Sequence, residues 1–198
     1  MRIDRSSGMK RYGKSGLVFL WSVFLVGCAG QPVQLYTLDT PSVRIPDRTL
    51  TSRKKLVLEV RRVTLPDYED NQDIIRRDGL VVKQSANGRW SERLSVGVTD
   101  ALVAKIGAMR SELFVTADIS HLSSFGSLTV TVTRLDIAGD GQAVLQADYV
   151  FVPSDPGRPP MVRRVTASSL ATDRSDFQTV SAINNLIGEL AARISKDI

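Results

Sequence analysis

Ser127-Leu-Thr-Val-Thr-Val-Thr-Arg-Leu-Asp136 is followed, across Ala138-Gly-Asp-Gly141, by Ala143-Val-Leu-Gln-Ala-Asp-Tyr-Val-Phe151. Leu128, Val130 and Val132 share one parity in the first stretch. Ala143, Leu145, Ala147, Tyr149 and Phe151 share one parity in the second. Successive side chains of a strand point to opposite faces, so a period of two marks a strand covered on one face. The Gly and Asp cluster between them is turn chemistry. The pair reads as two antiparallel strands joined by a short loop.

Working downstream, the four prolines between Pro153 and Pro160 mark a loop. Val162 to Leu170 is predicted to return as a further antiparallel strand. The chain closes on a helix from about Asp176 to Lys196. Phe177, Val180, Ile183, Leu186, Ile187, Leu190 and Ile194 make its apolar stripe. Ser175 and Gln178 are spaced as a capping box.

Working upstream, residues 117–126 have no clear period. Leu113 to Val115 suits a short strand. Trp90 to about Ile106 repeats apolar residues at helical spacing, with Leu94, Val98, Leu102 and Ile106 in line and Gly107 as a stop. Ile74 to Arg77 and Leu80 to Gln84 flank Asp78-Gly79, which predicts a hairpin with a type I′ turn. Asn87-Gly88 is expected to be the next turn. Lys55 to Leu65 is rich in β-branched residues, and its apolar parity changes between Val60 and Val63. A bulge or a change of covered face would produce that shift. Leu35 to Asp39 is a short strand, and residues 40–53, with Pro41 and Pro46, form a surface loop. The expected fold class is α+β: a mostly antiparallel sheet of about six strands with two amphipathic helices packed on one face, in a single domain.

The N-terminus has a different composition. Arg2, Arg5, Lys10, Arg11 and Lys14 precede the apolar run Leu17 to Val26, which ends at Gly27-Cys28. A basic stretch, a short apolar run and a small residue describe a secretory signal. Ten helical residues span about 15 Å, half the roughly 30 Å hydrocarbon core of a bilayer. Leu25-Val26-Gly27-Cys28 resembles the bacterial lipobox, in which the signal is cut between Gly27 and Cys28 and the thiol of Cys28 receives the lipid. Residues 1–27 are therefore expected to be a signal peptide. Residues 28–34 would be the lipidated N-terminus and a short tether, and residues 35–198 the folded domain. Met9 is an alternative start. Ala29 after the cysteine implies, in enterobacteria-like sorting, the periplasmic face of the outer membrane.

The whole chain of 198 residues has 26 basic and 21 acidic residues, a net of +5. Five of the basic residues and one of the acidic ones lie before Cys28, so the remainder holds 21 and 20, a net of +1. The basic character belongs to the signal, which removes the case for a nucleic-acid partner.

Chemistry is sparse. His121 is the only histidine and Cys28 the only cysteine, so neither a zinc site nor a nucleophile–histidine pair is expected. Asp67, Glu69, Asp70 and Asp73 cluster without the glycine and terminal glutamate of a calcium loop, and read as a solvated acidic loop. Gly139-Asp-Gly141 lacks the lysine of a phosphate loop. The arginine pairs 61–62, 76–77 and 163–164 read as solvated or edge positions. Tyr68 and Trp90 are candidate partner contacts, with a place in the core as the alternative for Trp90. No catalytic residue, metal or cofactor is expected.

Several stretches together resemble one family. They are the lipobox at Cys28, Tyr36-Thr-Leu38, Leu65-Pro-Asp-Tyr68, Ile74-Ile-Arg-Arg-Asp-Gly79, Arg89-Trp-Ser-Glu-Arg-Leu94 and Leu128 to Asp136. In this order they are similar to the ABC-type transport auxiliary lipoproteins, with Leu135 where that family usually has an aromatic residue. The resemblance implies a non-enzymatic outer-membrane adaptor in intermembrane lipid transport that supports envelope integrity. Its partners would be an MCE-domain protein and, through it, an inner-membrane permease or ABC transporter. A homo-oligomer would match a ring-shaped partner. The alternative is a periplasmic lipid-binding carrier, holding an acyl chain between sheet and helices.

Overall fold

The computed structural model describes residues 31–40, 56–118 and 124–198. In chain order the elements are β1 (Gln34–Tyr36), β2 (Leu56–Val60), β3 (Asp73–Asp78), β4 (Val81–Trp90) and α1 (Leu94–Met109). They continue with β5 (Leu113–Thr116), β6 (Gly126–Ile137), β7 (Gln142–Pro153), β8 (Met161–Leu170) and α2 (Asp176–Asp197).

The β6–β7–β8 meander is the centre of the fold. Leu128 pairs with Phe151, Val130 with Tyr149 and Leu135 with Leu145, and β8 adds antiparallel on the far side of β7. The inward side chains of β6 and β7 are buried, as the alternation requires. Tyr149 is among the largest of them, and its hydroxyl donates to Asp197 at the end of α2. Burial and that hydrogen bond hold the Tyr149 phenol far above its ordinary value.

The expected α+β class in a single domain holds, and the strand pairing adds detail to it. Among the described residues eight strands form two mixed sheets, ordered β5-β2-β6-β7-β8 and β1-β4-β3. β2 lies parallel to both β5 and β6, and β1 parallel to β4. A parallel neighbour needs a crossover. Here β3, β4, α1 and β5 all intervene between β2 and β6. A local hydrophobic pattern carries no sign of that.

The parity change after Val60 has a clear origin. β2 ends at Val60, yet the backbone N–H groups of Arg61 and Thr64 still bond to Leu128 and Val130 of β6. Between them the Val63 N–H turns aside and donates to Thr99 Oγ1 of α1 at 3.0 Å. The interruption is thus the point where α1 is fastened to the sheet.

Three turn and helix expectations change. Asp78 pairs with Val81, so the two loop residues of the hairpin are Gly79 and Leu80. Gly79 has φ +61°, and among the described residues no non-glycine residue has positive φ. A type I′ turn needs positive φ at both central positions, so this arrangement is that of type II′. Asn87-Gly88 is not a turn, because β4 runs through it to Trp90. Gly88 packs against the Asp176 carboxylate, where a Cβ would collide. Trp90 therefore belongs to a strand, and α1 starts at Leu94.

The two helices differ. α2 has the expected stripe from Val180 to Ile194 buried against β6, β7, β8 and α1, while Phe177 stays exposed. Its cap is half of the expected box. Ser175 Oγ accepts from the Gln178 N–H at 3.2 Å, but the Ser175 N–H donates to Asp173 rather than to Gln178. α1 is not a narrow amphipathic stripe. At 100° per residue its buried positions, from Gly97 round to Thr99, cover roughly 200° of the circumference. Arg110, just past α1, donates to the carbonyls of Ser195 and Ile198 and so satisfies the C-terminal turn of α2.

Candidate functional site

Three of the stretches singled out in the sequence meet at one place. Tyr68 lies in the loop between β2 and β3, Arg77 near the end of β3, and Asp136 near the end of β6. Arg77 donates to the Tyr68 hydroxyl at 2.6 Å and its Nε lies 2.5 Å from Asp136. Its guanidinium is 5.5 Å from the centre of the Tyr68 ring. Arg134 Nε donates to the other oxygen of Asp136 at 2.9 Å. Asp136 is 1% exposed, so its two arginines balance a charge removed from water. The field of Asp136 holds the Arg77 guanidinium above its ordinary value.

Glu69 completes the cluster. It is fully buried, and its Oε1 accepts from the Leu135 N–H at 3.3 Å while Oε2 has no hydrogen-bond partner. Burial pushes its carboxyl up to about 7. Burial, together with Glu69, pushes the Tyr68 phenol up to about 12.

The rest of the acidic loop is also engaged, which corrects the reading of it as solvated. Arg93 precedes α1 without capping it, and the first-turn donors are met from outside the helix. Asp70 Oδ1 accepts from the Ser95 N–H at 3.0 Å, and the Asn71 carbonyl from the Leu94 N–H at 3.2 Å. Burial of Asp70 opposes ionisation, but the Ser95 and Arg93 bonds hold its carboxyl below the usual range. Asp73 pairs with Arg89 at 3.0 Å and accepts from Gln84 at 2.8 Å. Of the four acids, Asp67 alone is exposed. The arginines divide likewise. Arg76 donates to Asp176 and Thr179 of α2, Arg164 binds Asp148 through two bonds on the open surface, and Arg61 and Arg62 are solvated.

Trp90 is 4% exposed, in the core. Tyr68 is 39% exposed, beside Arg77. Gly27, Cys28 and His121 lie outside the described residues. An open groove of about 630 Å³ runs between the β3–β4 hairpin and the β6–β7 turn. It is lined by Arg76, Arg77, Lys83 and Arg174 together with Asp78 and Asp173. Each of these cations already has an acid or carbonyl partner: Asp176, Asp136, Asp78 and the Gly139 carbonyl in turn. Among the described residues no group of His, Cys, Asp and Glu is placed to hold a metal. No described helix is long and apolar enough to cross a membrane.

The cluster is therefore a clasp, tying the acidic loop, the hairpin and the start of α1 to β6. Residues 36–195 match the ABC-type transport auxiliary lipoprotein component family. The chain belongs to that family. Within it, the intermembrane transport lipoprotein PqiC of Escherichia coli K12 is 25% identical over 139 residues, 70% of this chain and 74% of the relative. Two solved structures share the fold. A crystal structure of an uncharacterized protein has a TM-score of 0.69 at 17% identity, covering 84% of this chain and 98% of that one. Protein XCC0632 from Xanthomonas campestris has 0.62 at 13%, covering 82% and 93%. The family match begins in β1 and ends in the last turn of α2.

Proposed function

We propose that this lipoprotein is an adaptor, anchored to the outer membrane, in an MCE-type intermembrane lipid transport system. The observation that carries the reading is the family match over 36–195 together with the PqiC relative, whose name places that protein in intermembrane transport. In this reading the signal is cut between Gly27 and Cys28, Cys28 carries the lipid, and residues 35–198 are the working domain. The partner is an MCE-domain protein, and through it an inner-membrane permease or ABC transporter. The chain does no chemistry of its own. The charged groups of the clasp and the cations of the groove are spent on internal pairs, and the space between sheet and helices is filled by Leu58, Leu102, Leu128, Leu186 and their neighbours. A filled interior favours a docking body over an acyl-chain carrier.

The test is capture of the native lipoprotein, in detergent, with an MCE-domain protein of the same cell. Co-purification is expected, with Tyr68→Ala weakening it if the exposed tyrosine is a contact. MCE-domain proteins of that cell that never associate would remove the adaptor reading.

A further inference from the structure

The β3–β4 hairpin breaks the ordinary rule for turns. Its tip carries Leu80, Val81 and Val82, which are 100%, 57% and 43% exposed. A type II′ turn needs glycine at its first central position and nothing apolar at its second. Val81 and Val82 point to opposite faces of β4, yet both are exposed, so the hairpin end projects clear of the body. The Asp78–Lys83 pair, 2.5 Å apart, forms a charged collar next to this tip.

The direction of β1 says which end of the molecule this is. β1 runs parallel to β4, with Gln34 beside Gly88 and Tyr36 beside Trp90. β4 runs away from the tip, so β1 does too, and the chain reaches Gln34 from the tip side. Val81 pairs with Asp78 and Arg89 with Asp73, five steps of β3 across a bulge in β4, so Gly88 lies at most about 17 Å from Val81 at 3.3 Å per residue. Cys28 lies six residues before Gln34, a reach of at most about 22 Å. A tether of that reach is long enough to span the distance to the level of the tip. The β6–β7 turn shares this end, because Ala138 bridges to Arg77.

We propose that the tip Leu80-Val81-Val82 dips into the lipid surface beside the acylated N-terminus. The occupant of this apolar patch is the boundary between headgroups and acyl chains of the membrane that holds the anchor. The Asp78–Lys83 collar sits at headgroup level. Lipid chains on Cys28 supply the attachment, while the hairpin supplies orientation. A single point of attachment leaves the orientation of the domain open, whereas a second contact fixes which face looks into the periplasm. The inference rests on the proposed lipidation of Cys28.

The experiment uses the lipoprotein purified from cell membranes and reconstituted into vesicles of phosphatidylethanolamine with a minority of phosphatidylglycerol, with and without brominated acyl chains. Tryptophan is introduced as Leu80→Trp, at a fully exposed site, and as Val162→Trp, at the opposite end of β8. Native Trp90 is buried and gives a constant background. Emission from position 80 is expected to shift to the blue and to lose most of its intensity to the brominated lipid, while position 162 is unchanged. The mass of the N-terminal peptide reports acylation separately. Where Cys28 carries no lipid, its thiol is coupled to maleimide-headgroup lipid in the same vesicles, so the hairpin is tested either way. An unquenched, red-emitting position 80 on a vesicle-bound protein would overturn the proposal. So would a blue shift that comes only with added MCE protein, or only with rising protein concentration. Those two results would assign the tip to a protein partner or to a second copy.

Discussion

Glu69 is a carboxyl that the fold prefers neutral. Its folded value of about 7 stands above the ordinary 4.5. Below about 4.5 both folded and unfolded states hold the proton, and the group costs nothing. As pH rises through the interval up to about 7, the unfolded chain loses the proton first, so stability falls, and it levels off above that. The interval corresponds to about 3 kcal/mol, at 1.36 kcal/mol per unit. Glu69→Gln keeps an acceptor for the Leu135 N–H and removes the charge. Its stability relative to the parent is expected to grow across that interval, by up to about 3 kcal/mol, in urea melts at a series of pH values. A constant difference would mean that Glu69 titrates normally. Asp136 is a buried acid with two arginines on it. Asp136→Asn leaves both arginines without a counter-charge. They are about a third exposed, so the expected loss is about 2 kcal/mol, below the range for fully buried pairs. The same melts should show the Glu69 interval moving to lower pH, because Asp136 is one of the groups that raise it.

At the scale of elements, α1 depends on a loop for its start. Asp70 bonds to the Ser95 N–H from outside the helix, so Asp70→Ala should cost about 1 kcal/mol, as loss of an N-cap does. Hydrogen exchange should rise in the first turn of α1 and leave α2 unchanged. Fraying of both helices together would mean that the loop serves the whole core. This dependence also explains what could be read in advance. The meander and α2 were visible because their partners are neighbours in sequence, so period and cap both sit in the local pattern. The parallel place of β2 was not, since its pairing needs the crossover through α1. The acidic loop looked solvated because its partners, Ser95, Arg89 and Leu135, lie 16 to 66 residues away. One signal was available: the parity break at Val60–Val63 marks where Thr99 takes a backbone N–H. Asp78-Gly79 placed the turn one residue early, because Asp-Gly is a strong type I′ signal and Leu80 is an unusual second turn residue.

For the whole molecule, attachment and folding are expected to be separable. Val33–Ile198 is one compact unit with its own core, and its near-neutral charge offers no electrostatic hold on an anionic membrane. Binding should therefore reside in Cys28 with a contribution from the hairpin, while stability resides in the described body. Cys28→Ser in the full chain removes the thiol that is alkylated, and lipobox processing with it. The variant should lose its lipid label, and once released by an ordinary signal peptidase site it should move from the membrane to the soluble periplasmic fraction. Its thermal midpoint should match that of the detergent-solubilised parent, because no core side chain changes. Adding Leu80→Asp to Cys28→Ser should abolish whatever vesicle binding is left, again without a change in midpoint, since Leu80 touches solvent alone. A lowered midpoint for Cys28→Ser would tie the N-terminal segment into the fold and make anchor and body one unit. An unchanged membrane fraction would instead give the attachment to the body surface, with the apolar end around Leu80 as the first place to look.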